Sequence, residues 1–362
     1  MGANEPDAAL IAAYDAVVCD LDGVVYRGFE PVPDAPKALQ DLTARGVKVV
    51  YATNNASRVV AEVARQIAGL GAPVTPDDVV SSAEAGAARL ARELDPGARV
   101  LALGGDGVVE ALTRAGLRAV RPADVDEGSG GDVSAVLQGF GKDLRVRDFE
   151  TAARLLGPGL PWVATNDDAS LPLPWGQAPG NGAYLDLLAG AVGRRPDDVV
   201  GKPHPPLYRL ALDHLGTEPS RTLAIGDRLA TDIVGARVAG IDSAWVLTGV
   251  DRPSDLVECD AAPTYVIGSL SELLQPYAVP TPDVDGWRCG RAYAHFAHGD
   301  LRVEAGGAPA IEVVRAGVAA LLTERDSGAA GAALVRAAAD SLDGLLDGLP
   351  DGLLDSQGSP TG

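Results

Sequence analysis

The chain has 362 residues, of which 46% are hydrophobic, and its formal net charge is −20. A chain of this length and composition can bury a large core and is expected to form two or three domains. The negative charge argues against nucleic acid and anionic membranes as partners, because both are negatively charged themselves. Three cysteines, Cys19, Cys259 and Cys289, are too few and too scattered for a disulfide framework or a zinc site.

The sequence shows no pattern typical of a secretory signal at its N-terminal end. No uncharged apolar run approaches the roughly 18 residues that would suggest a membrane-spanning helix. We therefore expect a soluble protein of the cytoplasm.

The first informative element is an apolar strand that ends in two carboxylates. The run V-V-C-D-L-D-G-V-V, residues 17–25, contains Asp20 and Asp22. Open α/β folds bind ligands at the carboxyl ends of their strands, which is where this pattern places both side chains. Two close carboxylates repel each other, so the pair requires either a cation or a proton on one member. For this segment alone, an Asx-type turn or a calcium loop is the alternative.

A second apolar strand, V-V-Y-A-T-N-N-A-S-R at residues 49–58, ends in hydroxyl, amide and guanidinium groups. The candidates for phosphate binding are Thr53, Asn54, Asn55 and Arg58. Donors at a strand-to-helix junction point at an anion, and the helix dipole favours its charge. Capping of the next helix by Asn55 or Ser57 is the alternative, and the two roles are compatible.

A long insertion follows, because the distance in sequence from Thr53 to the next motif far exceeds one crossover helix. Residues 82–194 contain their own predicted strands, such as V-L-A-L-G-G, S-A-V-L-Q-G-F and W-V-A-T-N-D-D, and helices between them. Gly104-Gly105-Asp106-Gly107 is interpreted as an ordinary strand-to-helix turn, since the full dinucleotide fingerprint is missing. Asn166 and Asp168 lie in a polar loop and are either substrate contacts or turn formers.

The third motif, V-V-G-K-P-H-P-P at residues 199–206, contains one of only four lysines, at positions 37, 48, 142 and 202, among 30 basic residues. A compact ammonium suits a single phosphoryl oxygen, or a carboxylate and phosphate together, better than a planar guanidinium does. Lys202 is therefore a candidate catalytic residue. We expect His204 to be a loop residue and not a ligand.

The fourth motif, L-A-I-G-D-R-L-A-T-D-I at residues 223–233, is a strand that ends in a carboxylate and is followed by another. Magnesium takes oxygen ligands, typically one or two protein carboxylates and the substrate's phosphate. Asp227 is the predicted metal ligand, and Asp232 is predicted to orient waters and donors around it. A helix cap followed by a first-turn acid is the alternative for this pair.

The remainder of the chain does not continue this pattern. A proline-spaced stretch after Leu274 predicts a linker. Beyond it, W-R-C-G-R-A-Y-A-H-F-A-H and L-R-V-E-A-G suggest two strands, and two helical patterns follow them. The segment has no Gly-rich loop at the start of a helix, which binding of a pyrophosphate such as that of acetyl-CoA would need. Its role is therefore predicted to be structural or regulatory. Residues 346–362 are predicted to form an acidic, flexible tail.

Together, in this order, the four motifs resemble the haloacid dehalogenase superfamily of phosphatases. The forms T-N-N-x-S-R and G-K-P-x-P are those of its type IIA, which includes glycerol-phosphate, nucleotide and para-nitrophenyl-phosphate phosphatases. The resemblance covers residues 16–268 and implies an α/β fold. Its Rossmann-like core, a parallel sheet with helices on both faces, is expected at residues 10–81 and 195–278, with an inserted α/β cap at 82–194. Residues 284–345 are similar to the GNAT-like α+β extension of actinobacterial glycerol 3-phosphate phosphatases.

The resemblance also implies roles for individual residues. Asp20 is the expected nucleophile, Asp22 the general acid/base, and Lys202 the residue that stabilises nucleophile and phosphoryl group. Thr53 is the expected phosphate ligand. The expected ligands of Mg²⁺ are Asp20, Asp22 and Asp227. In the family the polar cap loop faces the core's active site, which makes Asn166 and Asp168 candidate substrate contacts.

The sequence thus predicts a magnesium-dependent phosphomonoesterase that acts on a small cytosolic phosphate ester through an aspartyl-phosphate. By resemblance, glycerol 3-phosphate is the leading substrate. The alternatives are 2-phosphoglycolate, nucleoside monophosphates or a phosphosugar. A phosphotransferase or an inactive scaffold is the alternative of another class, and a homo-oligomer formed through the cap or the extension is left open.

Overall fold

A computed structural model describes residues 8–125, 132–173, 175–328 and 331–347. These residues belong to two compact units, one within 1–49, 70–73 and 217–362 and the other within 50–69 and 74–216. In the described part of the chain, no helix combines the length and the apolar character that crossing a membrane requires. The predicted boundaries of core, cap and extension stay predictions.

Strands and helices alternate through most of the chain. The strands are β1 (Ala16–Cys19), β2 (Tyr26–Arg27), β3 (Glu30–Pro31), β4 (Lys48–Thr53), β5 (Val79–Ser81), β6 (Arg99–Leu103), β7 (Arg118–Val120), β8 (Val133–Gln138), β9 (Trp162–Ala164), β10 (Ser170–Leu173), β11 (Gly176–Pro179), β12 (Asp198–Val199), β13 (Thr222–Gly226), β14 (Asp242–Val246), β15 (Tyr265–Ile267), β16 (Thr281–Asp283), β17 (Gly286–Cys289), β18 (Ala292–Ala297) and β19 (Asp300–Glu304). The α-helices are α1 (Ala35–Ala44), α2 (Val60–Gly69), α3 (Ser82–Ala91), α4 (Asp106–Arg114), α5 (Val146–Leu156), α6 (Asn181–Val192), α7 (Pro205–Leu215), α8 (Val234–Ala239), α9 (Ala310–Ser327) and α10 (Ala332–Asp347). A π-helical turn, Leu229–Ile233, precedes α8.

The first unit contains adjacent parallel strands in the order β15, β14, β13, β1. All of β1 is buried, and its continuous apolar run is typical of a parallel strand covered on both faces. Cys19 at the end of β1 pairs with Ile225 near the end of β13. The residues that follow these two strands are therefore neighbours at one edge of the sheet.

The second unit contains the parallel pair β4 and β5 and a parallel sheet in the order β12, β9, β8, β6, β7. Val136 of β8 belongs to a buried cluster that includes residues of α5 and α6. The next residue, Leu137, lies against Gly86 of α3, where a Cβ atom would approach it to 2.5 Å. Because successive strand residues point to opposite faces, helices cover both faces of this sheet. The predicted α/β insertion is confirmed.

The Gly-rich turn after β6 is a strand-to-helix turn, as predicted, and its glycines have a packing role. A Cβ atom on Gly107 would lie 2.3 Å from the carbonyl oxygen of Arg58, and one on Gly105 would lie 2.5 Å from that of Ser57. Only glycine permits this approach of the turn to residues 56–58.

The C-terminal part of the first unit is an α+β region, as predicted, with an antiparallel sheet in the order β16, β17, β18, β19. Two details differ from the prediction. The run interpreted as one strand is the hairpin of β17 and β18, which turns at Gly290 with φ +54°. The stretch interpreted as a linker contains β16. Of the predicted flexible tail, residues 346–347 end α10, and 348–362 lie outside the described residues.

Helices α9 and α10 share one buried apolar cluster with strands of the parallel sheet. Trp245 of β14 and Val266 of β15 belong to it together with Val318 of α9 and Leu342 of α10. The C-terminal region, which we call the extension (residues 281–347), therefore completes the core of the first unit.

A buried ion pair fixes α9 to this sheet. Arg315 donates from Nε to the carbonyl oxygen of Val266 at 2.8 Å and pairs with Glu272. Their side chains are 4% and 13% exposed. The guanidinium carbon lies 3.9 Å from the centre of the Tyr277 ring. Burial raises the pKa of Glu272, and the charge of Arg315 opposes that shift.

Replacing Arg315 by methionine should lower the free energy of unfolding by about 3–5 kcal/mol, because Glu272 then remains buried without its cation. A fold that buries an acid with a raised pKa becomes less stable as that acid ionises. The stability lost by the Arg315 variant should therefore be smaller near pH 4, where Glu272 carries its proton, than near pH 8. Urea denaturation at both pH values measures it. Adding Glu272→Gln should recover part of the loss, and an unchanged stability of the single variant would contradict the assignment.

Candidate active site

Three carboxylates meet at the sheet edge of the first unit. Asp20 follows β1, Asp227 follows β13, and Asp232 lies in the π-helical turn. One oxygen of each lies within 4.8 Å of the others. Asp227 and Asp232 are buried, and Asp20 is half-buried. Three carboxylate oxygens this close repel one another unless a cation or a proton lies among them, and hard oxygen ligands are those that Mg²⁺ prefers. The residues therefore fit a magnesium ion.

Asp227 is held by backbone that approaches it closely. Its Oδ2 atom accepts a hydrogen bond from the N–H of Val250 at 2.9 Å, and its carbonyl oxygen accepts one from the Trp245 indole at 3.1 Å. A Cβ atom on Gly249 would lie 1.9 Å from Oδ2, and one on Gly23, whose φ is +81°, would lie 2.5 Å away. Both positions require glycine.

Gly249 was not identified from the sequence. The signal that identifies it is the run T-G-V-D at residues 248–251. This run follows β14 and Leu247, and it repeats the pattern of an apolar strand followed by polar and turn-forming residues. Because β14 lies beside β13, its following residues reach the same edge of the sheet.

The carboxylate of Asp232 is part of the same cluster, and its predicted role of orienting waters and donors around the metal stays a prediction. Its Oδ2 atom accepts from the N–H of Arg228 at 3.2 Å and from the Thr231 hydroxyl at 3.3 Å. Asp22, by contrast, is exposed, and the three-carboxylate cluster found among the described residues does not include it. The metal role of Asp22 stays a prediction.

In the second unit, the residues after β4 form a tight local turn. The Thr53 side chain is buried, and its hydroxyl oxygen accepts the N–H of Asn55 at 3.1 Å. Asn55 in turn accepts from the N–H and the hydroxyl of Ser57, at 3.0 and 2.7 Å. Arg58 donates to Gln66 of α2 at 2.7 Å. The side chains of Asn55 and Arg58 thus make local bonds, and their phosphate-binding roles stay predictions.

Asn54 binds the backbone of Lys202. Its Oδ1 atom accepts the N–H of Lys202 at 2.7 Å, and its Nδ2 atom donates to the carbonyl oxygen of the same residue at 2.9 Å. The side-chain amide therefore satisfies both the N–H and the carbonyl oxygen of Lys202, as the backbone of a neighbouring strand does in a sheet. Lys202 is 4% exposed, and its Nζ atom donates to the carbonyl oxygen of Ala52 at 3.2 Å. A Cβ atom on Gly201 would lie 2.7 Å from Oδ1 of Asn54, so glycine is required there too.

Both polar residues predicted in the cap loop also contact Asn54. Asn166 is buried and donates from Nδ2 to the carbonyl oxygen of Asn54 at 2.7 Å. Asp168 accepts from Nδ2 of Asn54 at 3.2 Å. The structure thus brings Asn54, Asn166, Asp168 and Lys202 together, although they come from three separate segments of the sequence.

A histidine and a carboxylate, next to these residues in the sequence, also form a pair. His204 directly precedes α7, and its Nε2 atom lies 3.4 Å from Oδ2 of Asp167. The hydrogen bond to Asp167 raises the pKa of His204, and the same bond lowers the pKa of the Asp167 carboxyl. His204 is thus paired with an acid directly before α7, and the prediction that it is not a ligand stays a prediction.

Comparisons with known proteins agree with this architecture. A family model of haloacid dehalogenase-like hydrolases matches residues 17–118, and a second model of similar hydrolases matches residues 199–273. D-glycerol 3-phosphate phosphatase of Mycobacterium tuberculosis is 37% identical over 297 residues, which cover 80% of each chain. The 5'-nucleotidase YutF of Bacillus subtilis is 31% identical, over 73% of this chain and 98% of its own. An acid sugar phosphatase of Staphylococcus aureus is 32% identical, over 72% and 97%.

Solved structures give the same result. A crystal structure of a glycerol phosphate phosphatase from M. tuberculosis in complex with magnesium has a TM-score of 0.75 and 35% identity, and covers 88% of this chain and 92% of its own. The p-nitrophenyl phosphatase of Archaeoglobus fulgidus has a TM-score of 0.66 and 29% identity, and covers 72% and 98%. The resemblance stated from the motifs is confirmed: the chain belongs to the haloacid dehalogenase-like hydrolases.

Proposed function

We propose that the protein is a magnesium-dependent phosphomonoesterase that hydrolyses a small phosphate ester. The observation that supports this most strongly is the cluster of Asp20, Asp227 and Asp232 at the ends of neighbouring strands. Such a cluster suits a hard divalent cation that also binds a phosphate oxygen. The similar structure from M. tuberculosis was solved with magnesium, and the relatives from M. tuberculosis, B. subtilis and S. aureus are phosphatases.

In the proposed reaction the Asp20 carboxylate attacks phosphorus, and the ester oxygen leaves. The resulting aspartyl-phosphate is then hydrolysed by water, which restores the carboxylate and releases phosphate. Asp22 gives a proton to the leaving oxygen in the first step and takes one from the attacking water in the second. Asp20 is half-buried and Asp22 is exposed, so both side chains are accessible to a substrate that arrives from solvent. Bound magnesium supplies positive charge to the carboxylates and the phosphoryl oxygens.

The remaining charge of the transferring phosphoryl group requires donors from the protein. We assign this role to the Lys202 ammonium, to Thr53 and to backbone N–H groups after β4. Asn54 has a different role in this proposal, because its side-chain amide is occupied by the Lys202 backbone and Asp168. We assign it the positioning of Lys202 and of the cap loop.

For the substrate we propose glycerol 3-phosphate, since the relative with 37% identity is a D-glycerol 3-phosphate phosphatase and the match covers 80% of both chains. A nucleotide or a sugar phosphate is the second candidate, because relatives at 31% and 32% identity carry those names. Delivery of the phosphoryl group to another alcohol is the alternative to hydrolysis. A cytoplasmic location, the lack of nucleic-acid partners and any homo-oligomer stay predictions.

A phosphate-release screen tests the proposed substrate. We expect glycerol 3-phosphate to give the highest kcat/KM among glycerol 3-phosphate, 2-phosphoglycolate, nucleoside monophosphates and phosphosugars. Each reaction is run with and without added alcohols, and product analysis separates hydrolysis from transfer. A preference for another ester would contradict the substrate, and no release from any ester would contradict the proposed function.

Removal of the metal should abolish turnover, because the Asp20 and Asp227 carboxylates would repel a phosphate dianion. We expect EDTA to stop phosphate release and excess Mg²⁺ to restore it. Calcium, which binds in larger and more flexible geometries, is a suitable comparison ion. Full activity in rigorously metal-free buffer would refute the magnesium requirement.

Asp20→Asn should abolish turnover while the fold persists, since an amide of nearly the same shape cannot form the acyl phosphate. Circular dichroism checks the fold, and steady-state phosphate release measures the loss. The intact protein should gain the mass of one phosphoryl group when quenched in acid during turnover, and the variant should not. Residual turnover above background, in protein free of wild type, would contradict the covalent mechanism.

Asn54→Asp should lower kcat by at least about tenfold, or roughly 1.4 kcal/mol. The change removes the donor to the Lys202 carbonyl oxygen. It also places a second carboxylate beside Asp168, whose Oδ2 atom lies 3.2 Å from Nδ2 of Asn54 in the wild type. Adding Asp168→Asn should relieve the repulsion and recover part of kcat, but not the part due to Lys202. Kinetics of Asn54→Asp equal to those of the wild type would contradict the positioning role.

A further inference from the structure

The segment that follows β14, residues 248–259, connects two parts of the first unit, and we call it the connecting segment. At its beginning it binds Asp227 of the carboxylate cluster and two residues near the other members in sequence. The N–H of Val250 donates to Asp227 at 2.9 Å, and Asp251 accepts the N–H of Leu229 at 2.6 Å. The Thr248 hydroxyl donates to the carbonyl oxygen of Gly23 at 2.7 Å.

Its other end is bound by the extension. Asp343 of α10 accepts the N–H of Ser254 at 3.1 Å. Arg325 of α9 donates from Nη1 to the carbonyl oxygens of Leu256 and Cys259, at 2.8 and 2.7 Å. Its side chain is only 16% exposed. In addition to these hydrogen bonds, two ion pairs join the connecting segment to α10, Arg252 with Asp347 and Arg336 with Glu258.

Apolar packing joins the same parts. Leu256 in the connecting segment is fully buried, in one cluster with Leu229 and Ile233 of the π-helical turn and with Val335 and Leu342 of α10. The turn that carries Asp232 and the helices of the extension thus share a core. Interiors of this kind are closely packed, so a displacement on one side is felt on the other.

We propose that the extension is a positioning element for the metal site. Arg325 and Asp343 fix the connecting segment, and the segment fixes Asp227 and the start of the π-helical turn. A loop between two strands, without such partners, belongs to the least stable part of a fold. This inference rests on the proposed function, since it takes the carboxylate cluster as the magnesium site. It assigns the extension no ligand of its own.

The test is calorimetric titration of Mg²⁺ into the full-length protein without substrate. Asp343→Ala removes the acceptor of the Ser254 N–H, and Arg325→Met removes the guanidinium but keeps an apolar stem. We expect the double variant to bind Mg²⁺ about three- to tenfold more weakly, less than the roughly 10- to 100-fold typical of a residue bonded to a ligand. Asp343→Asn, which keeps an acceptor oxygen, should bind like the wild type.

Two exposed residues on the same helices provide matched controls. Ser341→Ala changes a residue two positions before Asp343, and Thr323→Ala removes a hydroxyl that donates to the carbonyl oxygen of Ala319 in its own helix. Both should leave the affinity for Mg²⁺ unchanged. Urea denaturation of every variant identifies those that stay folded under the titration conditions. Wild-type affinity in a folded double variant, or equal weakening by Asp343→Asn and Asp343→Ala, would overturn the inference.

A second measurement uses the wild-type chain with and without Mg²⁺, so its main result does not depend on how the variants of the extension fold. Coupling between two sites is reciprocal, so Mg²⁺ should slow amide hydrogen exchange in α10 as well as around Asp227. Asp227→Asn should abolish both effects. Slower exchange around Asp227 with none in α10 would overturn the inference and leave the proposed function intact. If the wild type bound no Mg²⁺ at all, the proposed function itself would fall.

Discussion

The mutual repulsion of three carboxylates is the constraint on which the rest of this structure depends. At separations near 4 Å, two unit charges interact by about 4 kcal/mol at the effective dielectric constant of 20 that describes protein surfaces. This repulsion acts at the ends of β1 and β13, where parallel pairing makes Asp20 and Asp227 neighbours. The surrounding N–H groups of Arg228 and Val250, and the two glycines that approach Asp227, all serve to hold these charges in place.

The sequence predicted those features that depend on local pattern. Apolar runs that end in polar residues identified β1, β4 and β13, and the long interval before Lys202 predicted the inserted α/β region. Features that depend on distant pairing were not visible. The phosphate-binding role of Asn54 stays a prediction, but the pairing of its side-chain amide with the backbone of Lys202, 148 positions later, could not be predicted. A local motif carries no information about such a partner.

The extension shows the same limit. Its α+β character was predicted, but the hairpin at Gly290 was interpreted as one strand, because a positive φ at a glycine leaves no mark on hydrophobic periodicity. Asp232 was predicted to orient waters and donors around the ion, and that role stays a prediction. The π-helical turn in which it lies could not be predicted from the sequence pattern.

The carboxylate cluster and the extension are related through the stability of the first unit. A cluster of like charges destabilises the fold that carries it whenever no cation is bound, so the metal-free protein needs stabilisation from elsewhere. The extension supplies buried apolar surface, including Leu342, and the buried contacts of Arg315. It places this stabilisation beside the turn that carries Asp232 and on β14, the neighbour of β13. A strained site supported by packing outside it is the usual arrangement in enzymes, because the site cannot be relaxed without loss of its chemistry.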